Sequence, residues 1–286
     1  MNFADETLGF IGCGVMGEAM IRGLLEKGTL AAQQMIAADP RTDRIRELRE
    51  LYGVRATADN VNAIREASVV VLAIKPQALP EVLPQLGNAR NARLVLSIMA
   101  GVRLETIDAG LGGKAVVRAM PNTPAQIGQG ITVWTANEAT DEAGLGLARE
   151  LLGAFGEELY KQDEGALDMA TALSGSAPAY IFLFMEALID VGVHMGFARR
   201  EAERLVLKSM SGSVAYAERS GLHPAELRNQ VTSPGGTTAE ALFQLERGGL
   251  RTVVAQAVWA AWQRSASLGG AATIRGLNGN SQTPER

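Results

Sequence analysis

Cysteine and histidine are scarce in this sequence, and their scarcity excludes two common kinds of site. The 286 residues include a single cysteine, Cys13, so the chain cannot form an internal disulfide. That usage fits a reducing compartment, and we expect a cytoplasmic protein. The two histidines, His194 and His223, stand far apart and give no metal-binding pattern, so we expect no metal site.

An excess of one charge is also missing. The chain has 27 basic and 31 acidic side chains, and the resulting net charge of -4 argues against general nucleic-acid binding. We expect no secretory signal, because the first residues are polar and acidic. The most apolar window, residues 177–193, carries Glu186 and Asp190, so we expect a buried helix there and no membrane span.

A glycine motif, G-x-G-x-x-G at Gly12, Gly14 and Gly17, stands between an apolar run, residues 8–11, and a helical pattern. Gly12 permits a tight turn, Gly14 lets the backbone approach a pyrophosphate, and Gly17 lets the helix pack close to the sheet. The motif predicts a dinucleotide site with phosphates at the helix N-terminus. A glycine-rich turn that binds nothing is the alternative.

The residues after the second predicted strand bear on the choice of dinucleotide. Asp39 is the acid expected to accept hydrogen bonds from the ribose of NAD, whereas Arg41 and Arg44 favour the 2′-phosphate of NADP. These signals conflict, and a solvated first helical turn is an equal alternative for both arginines. We favour NADPH, with NADH as an alternative donor.

The first part of the chain alternates apolar runs with helical patterns, which predicts a doubly wound sheet. We predict strands at residues 7–12, 34–38, 69–74, 94–98, 115–119, 130–135 and 157–160. From about residue 165, alanine-rich helical patterns replace the strands. The predicted organisation is a dinucleotide-binding domain over 1–162, a helical domain over 163–268 and a disordered tail over 269–286.

The helical domain is too apolar to cover itself. Apolar residues occupy most faces of the predicted helix over 179–195, and such a helix must be buried on most sides. A domain of about 110 residues is too small to bury such a helix by itself, so we expect self-association.

Several polar groups follow predicted strands or precede a predicted helix. Lys75 ends one strand, and two prolines bracket Asn122 and Thr123 after another, where ligands bind in such sheets. In the helical domain, residues 231–238 lead into a helix predicted over 239–247, and we predict Thr237 or Thr238 as its N-cap. The exposed amides at that helix start would suit a carboxylate.

Five motifs together resemble the pyrroline-5-carboxylate reductase family. They are FIGCGVM from Phe10, IKPQ from Ile74, MPNTP from Met120, LSGSAPAY from Leu173 and TSPGGTT from Thr232. The resemblance covers residues 7 to about 268. It implies a Rossmann-type doubly wound domain followed by an all-helical dimerisation domain, and such dimers often assemble into a decamer. It also implies transfer of hydride from NAD(P)H to the C=N carbon of 1-pyrroline-5-carboxylate, which gives L-proline.

The resemblance also implies roles for individual residues. Those assigned to the cofactor are Ile11, Gly12, Cys13, Gly14, Val15, Met16, Gly17, Asn60, Ala73, Lys75, Pro76, Ala100, Gly101, Asn122, Thr123 and Glu164. Those assigned to the substrate are Gln230, Ser233, Gly235, Gly236, Thr237 and Thr238, with Glu164 and Gln230 lining a cleft between subunits. Thr238 is the candidate catalytic residue, whose hydroxyl would bond the ring nitrogen.

Three positions depart from the family pattern, and three rival functions remain. Val15 and Gln230 stand where many or some members have asparagine, and Ala177 stands where many have glycine. A related imine reductase is one rival. A hydroxyacid dehydrogenase is another, although such enzymes need a lysine and none occurs between Lys161 and Lys208. A non-enzymatic nucleotide sensor is the third, although residues 233–238 look intact.

Overall fold

The computed structural model describes residues 6–270, and its first part is built on one eight-stranded sheet. The strand order is β3-β2-β1-β4-β5-β6-β7-β8. The strands are β1 Leu8–Ile11, β2 Met35–Ala38, β3 Arg55–Thr57, β4 Val69–Leu72, β5 Leu94–Ser97, β6 Val116–Met120, β7 Gly130–Ala136 and β8 Gly156–Tyr160. From β1, the strands β2 and β3 are added on one side of the sheet, and from β4 the strands β5 to β8 are added on the other side. The order of the strands therefore reverses between β1 and β4, which is where ligands bind in this architecture.

The central strands are parallel and buried at every residue, as their continuous apolar sequences predict. The helices of this sheet cover both faces, which confirms the predicted doubly wound class. One core cluster includes Met20, Leu48 and Leu151, and the other includes Ile64, Val82 and Ile107. The helices are α1 Val15–Glu26, α2 Thr42–Tyr52, α3 Asn60–Glu66, α4 Leu79–Val82, α5 Leu104–Asp108 and α6 Glu142–Leu152.

Two features of the sheet differ from the sequence prediction. Strand β3 was not predicted, because Arg-Ala-Thr at an edge carries no apolar run. Strand β7 pairs antiparallel with β6, while every other pairing is parallel. Only a short 3-10 turn, Thr123–Ile127, joins β6 to β7, and without a long crossover the chain turns back beside the strand it has left.

The chain divides into two compact units. One contains the sheet and runs to Ser176, with the residues from Ala260 onward added to it; the other runs from Ala177 to Trp259. The boundary predicted after residue 162 stays a prediction. The tail predicted to be disordered falls outside the described residues from position 271 onward.

The chain enters the second unit through an irregular helical stretch. The predicted helix over 166–195 is divided into α7 Ala166–Ala170, a π-helical turn Thr171–Gly175 and α8 Ala177–His194. The π-helical turn falls in the small-residue segment that the sequence marks as an interruption, and such turns are frequent at functional sites.

The second unit consists of helices only. They are α8, α9 Arg199–Ser220, α10 Pro224–Gln230, α11 Thr237–Arg247 and the first half of α12 Leu250–Leu268. Helix α8 packs against α9, yet within one chain Phe182 and Leu183 are 62% and 67% exposed. The single chain does not bury this helix, as expected of a domain that needs self-association to cover it. Residues 166–194 are long and apolar enough to cross a membrane by length and composition alone, a test that core helices also pass.

Candidate active site

The glycine loop after β1 has the backbone shape that its sequence predicts. Gly12 has a φ of +85°, and a Cβ there would lie 2.9 Å from the main-chain oxygen of Ala73. A Cβ on Gly17 would lie 2.7 Å from the main-chain oxygen of Gly12. A Cβ on Gly14 would meet nothing within 4 Å, so the space beside this glycine is open. The loop thus requires glycine at two positions for its own packing, and at the third it leaves room for an approaching group.

Helix α1 begins at this open position. Gly14 is the N-cap and supplies no side-chain bond, and the first residue of the helix, Val15, is 58% exposed. The N–H groups of the first helical turn therefore point to the open side without a capping side chain. This arrangement fits a pyrophosphate, so the residues present suit a dinucleotide.

The other residues assigned to the cofactor follow the carboxyl ends of parallel strands. Ala73, Lys75 and Pro76 follow β4, and the N–H of Ala73 donates to the main-chain oxygen of Ile11, 2.9 Å away. Ala100 and Gly101 follow β5, and Asn60 begins α3 after β3. A cavity of about 420 Å³ lies at this edge, lined by Pro76, Gln77, Leu79, Ala100, Gly101, Val102, Thr106, Leu268 and Gly269.

Asp39 follows β2 and is buried with its carboxylate turned into the glycine loop. Its Oδ2 accepts from the N–H of Cys13 at 3.2 Å, and its Oδ1 accepts from the main-chain N–H and Nε of Arg41, both at 3.1 Å. Burial opposes ionisation, but the hydrogen bonds from Arg41 and Cys13 outweigh it and lower the pKa of this carboxyl. The ribose contact predicted for Asp39 stays a prediction.

Arg44 is buried, so the interpretation of this arginine as part of a solvated helical turn is wrong. Its Nε donates to the main-chain oxygen of Cys13 at 2.8 Å, and its terminal nitrogens pair with Glu18 and Glu47. Tyr52 donates to the other oxygen of Glu18 at 2.6 Å. Helices α1 and α2 and the glycine loop thus share one polar network.

The buried Cys13 packs inside the loop. Burial, followed by the nearby Asp39 carboxylate, raises the pKa of the Cys13 thiol to about 12. The thiol is therefore protonated near neutral pH and packs as a neutral side chain.

Asn122 and Thr123 follow β6 at the same edge of the sheet. The Oδ1 of Asn122 accepts from the N–H of Ile131 at 3.0 Å, and its Nδ2 donates to the main-chain oxygen of Ser174 at 3.4 Å. Thr123 is exposed. The amide of Asn122 therefore fixes the backbone around it, and its predicted place beside the nicotinamide stays a prediction.

Glu164 lies in a cluster of charged side chains that sequence reasoning did not find. Its Oε1 accepts from Arg118 at 2.8 Å and from the N–H of Leu104 at 2.9 Å. Asp168 lies 3.5 Å from both Arg118 and Arg103, and accepts from Ser265 at 2.9 Å. The signal for this cluster was present: Arg118 is a charged residue inside the apolar strand β6.

The cluster joins four distant parts of the chain. Arg103 precedes α5, Arg118 lies in β6, Asp168 lies in α7 and Ser265 lies near the end of α12. Arg103 also donates to the main-chain oxygen of Gly269 at 3.0 Å. The end of α12 is thereby fixed beside the loop of Ala100 and Gly101, where a Cβ on Gly101 would lie 2.9 Å from the Cβ of Leu268.

The segment assigned to the substrate lies in the second unit. Helix α11 begins at Thr237 and its N-cap is Gly236, so the predicted N-cap at Thr237 or Thr238 is wrong. Gly235 has a φ of +68°, and the N–H of Gly236 donates to the main-chain oxygen of Ser233 at 3.1 Å. This turn carries the chain into the helix without a capping side chain, and it leaves the first amides of α11 outside the helical ladder.

Thr238 is half-buried, whereas Ser233, Thr237 and Gln230 are exposed within the single chain. Tyr216 donates to the Oε1 of Gln230 at 3.3 Å. The main-chain amides of Gly236, Thr237 and Thr238 and the two threonine hydroxyls therefore lie together at the start of α11.

Comparisons with known proteins bear on both parts of the chain. Residues 164–268 match the family model described as pyrroline-5-carboxylate reductase dimerisation. Residues 7–101 match a model described as NADP oxidoreductase coenzyme F420-dependent.

Curated relatives match over almost the whole chain. A pyrroline-5-carboxylate reductase of Synechocystis sp. is 40% identical over 92% of this chain and 98% of its own length. One of Pseudomonas aeruginosa is 41% identical over 93% of this chain and 97% of its own length.

Solved structures agree with these relatives. A pyrroline-5-carboxylate reductase of Coxiella burnetii has a TM-score of 0.84 at 35% identity and covers 92% of this chain and 98% of its own. The pyrroline carboxylate reductase of Plasmodium falciparum, determined with NADP bound, has a TM-score of 0.85 at 28% identity and covers 93% of this chain and 98% of its own.

Proposed function

The chain belongs to the pyrroline-5-carboxylate reductase family, and we propose that it reduces 1-pyrroline-5-carboxylate to L-proline, the final step of proline biosynthesis, with NADPH as the hydride donor. The observation that carries this proposal is the open glycine loop after β1, where the order of the strands reverses. The same chain also contains the family's dimerisation segment. When bound, the reduced nicotinamide supplies hydride to the carbon of the C=N bond.

The first unit provides the nucleotide site. The loop from Gly12 to Gly17 and the uncapped start of α1 bind the pyrophosphate. The residues after β4 and β5, with Asn60 after β3, line the remainder of the nucleotide. Asn122 and Thr123 hold the backbone at the nicotinamide end.

The start of α11 provides the substrate site. The amides of Gly236, Thr237 and Thr238 bind the carboxylate at a helix N-terminus, where negative charge is stabilised. Ser233 and Gly235 shape the turn that presents those amides, and Gln230 lines the same site. Thr238 bonds the ring nitrogen through its hydroxyl.

This site needs no strong acid. A cyclic imine of this kind is basic enough that part of it arrives as the iminium near neutral pH, and hydride addition then places the C=N electron pair on nitrogen. The site accelerates the reaction by orienting the ring and holding the carboxylate, which is catalysis by positioning. The lack of a histidine or lysine in residues 231–238 is consistent with that mechanism.

NADPH is favoured over NADH through Arg41. Its side chain is exposed and lies in the turn between β2 and α2, where the 2′-phosphate of NADP is bound in this architecture. The NADP bound by the relative from Plasmodium falciparum supports the same choice.

Two further features complete the proposal. The exposed apolar residues of α8 are covered in a dimer of helical domains, and these dimers assemble further into a decamer. The enzyme acts in the cytoplasm, which the single buried cysteine supports.

A turnover assay tests the proposed reaction. The purified protein is mixed with pyrroline-5-carboxylate and either NADPH or NADH, and nucleotide oxidation is followed with proline formation. We expect proline to form in step with NADPH oxidation. A six-membered cyclic imino acid serves as the comparison substrate: preferential turnover of that ring would indicate a related imine reductase. Nucleotide binding without turnover of either ring would contradict the proposal and favour a nucleotide sensor.

A further inference from the structure

The peptide unit of Cys13, between the first two glycines of the loop, is held at both ends by side chains. Asp39 accepts from its N–H at 3.2 Å, and Arg44 donates to its carbonyl oxygen at 2.8 Å. Both side chains are buried, so water does not compete for these bonds. The path of the backbone from Gly12 to Gly14 is therefore fixed by two charged groups that come from β2 and α2.

Each of the three guanidinium nitrogens of Arg44 already donates to a neighbouring group. Its Nε is used by the Cys13 carbonyl, and its terminal nitrogens are used by Glu18 and by Glu47, the latter at 2.6 Å. The side chain is only 9% exposed. Tyr52 fixes Glu18 in turn. A phosphate could reach this guanidinium only if two carboxylate pairings were broken, and its own negative charge would then lie close to those carboxylates.

Arg41 presents the opposite case. It is the N-cap residue of α2, its side chain is 57% exposed, and it is paired with Asp39 through Nε. Exposure leaves the other guanidinium nitrogens open to an incoming anion. The two arginines, which the sequence offers as equal candidates for the 2′-phosphate, thus differ in what they can still bind.

We propose that Arg44 is a positioning residue that fixes the phosphate loop for either nucleotide and does not recognise the 2′-phosphate. This inference rests on the proposed function, because it presumes a nicotinamide nucleotide on this loop. NAD and NADP share the pyrophosphate that the loop binds and differ at the 2′-position. Loss of Arg44 therefore weakens both nucleotides by the same factor, whereas loss of Arg41 weakens NADP alone.

Equilibrium binding of the oxidised nucleotides, which requires no turnover, distinguishes positioning of the loop by Arg44 from recognition of the 2′-phosphate by Arg41. The Kd of NADP+ and of NAD+ is measured by calorimetry for the wild type, Arg44→Lys, Arg41→Ala and a control, Arg46→Lys, at an exposed position on the same helix. Lysine keeps the charge but lacks the planar fork, so we expect Arg44→Lys to weaken both nucleotides about tenfold or more. Their ratio should stay at the wild-type value. Arg41→Ala should weaken NADP+ alone, and Arg46→Lys should change neither.

A second variant keeps the test decisive if Arg44→Lys does not fold. Tyr52→Phe removes only the hydroxyl that fixes Glu18, so we expect a smaller loss that is equal for the two nucleotides. Selective loss of NADP+ in Arg44→Lys or Tyr52→Phe, or wild-type affinity in both, would overturn the inference. A wild type that binds neither nucleotide would instead contradict the proposed function, and the two failures are thus distinguishable.

Discussion

The side-chain amide of Asn122 donates to the main-chain oxygen of Ser174 across 3.4 Å, and this bond joins two of the motifs by which the family is recognised. Asn122 follows β6, and Ser174 lies in the π-helical turn before α8. A Cβ on Gly175 would lie 2.7 Å from the Cε of Met120, so the two segments also pack closely. The two motifs are therefore in direct contact through one hydrogen bond and through packing.

Replacement of Asn122 tests this relationship. Asn122→Ala removes the acceptor for Ile131 and the donor to Ser174, and we expect the free energy of unfolding to fall by about 1–3 kcal/mol. Asn122→Asp keeps the acceptor and should fall between alanine and the wild type. Chemical denaturation measures all three, with Gln129→Ala, at an exposed position, as the control. Equal stability of the wild type and Asn122→Ala would refute the structural role.

Thr238→Ala tests the assignment of the catalytic hydroxyl. The change removes one hydrogen bond to a charged or developing group, on the order of 1.5–3 kcal/mol, which corresponds to a roughly 10- to 150-fold loss of kcat. The Kd of NADPH should be unchanged. Thr238→Ser keeps a hydroxyl and should restore most of the rate. If the alanine variant turned over pyrroline-5-carboxylate at the wild-type rate, another group would have to bond the nitrogen.

Arg118→Met tests the buried charge cluster. Arg118 is 2% exposed and pairs with Glu164 and Asp168, so its loss leaves Glu164 without its nearest cation and Asp168 with Arg103 as its remaining ion-pair partner. We expect the free energy of unfolding to fall by about 3–5 kcal/mol. The matched control, Arg55→Met, breaks the exposed pair with Glu66 and should cost about 0–1 kcal/mol. Protein concentration must be held constant, because association adds to apparent stability. Similar losses in the two variants would contradict the prediction.

The Cys13 thiol predicts a specific dependence of stability on pH. Burial raises its pKa from 9.0 to about 12, so the folded state favours the protonated thiol. This contribution is complete below pH about 9 and is lost progressively as the pH rises towards about 12. Unfolding of the wild type and of Cys13→Ala should be compared between pH about 8 and about 10.5. The wild type should lose stability faster; parallel curves would argue against the shift.

Prediction from sequence was most accurate in the first unit at positions where the local backbone or packing requires one particular type of residue. Gly12 must adopt a positive φ and Gly14 must leave space, so the motif alone predicts the shape of the loop. The buried strands followed from their apolar runs. The family resemblance is likewise confirmed by the matching relatives.

The sequence predicted poorly where the partner of a residue is distant along the chain. Arg41 and Arg44 look equivalent in sequence, and only the packing of α2 on α1 shows that Arg44 faces Glu18 and the Cys13 carbonyl. Asn122 and Ser174 meet through tertiary structure, which local pattern does not encode. The expected N-cap at Thr237 or Thr238 was wrong because a flexible glycine, Gly236, occupies the cap position itself.

Because α12 returns to the first unit, some contacts of that unit can form only after almost the whole chain has been synthesised. The chain leaves that unit at Ser176 and comes back only at Ala260, and Ser265 then bonds Asp168 while Leu268 closes against Gly101. A ribosome that has released the whole sheet has therefore not yet supplied Leu268 and Gly269, which line one side of the cavity after β4 and β5. We expect a fragment that ends at Ser176 to bind the proposed nucleotide more weakly than the whole chain, because it keeps the glycine loop but lacks Leu268 and Gly269.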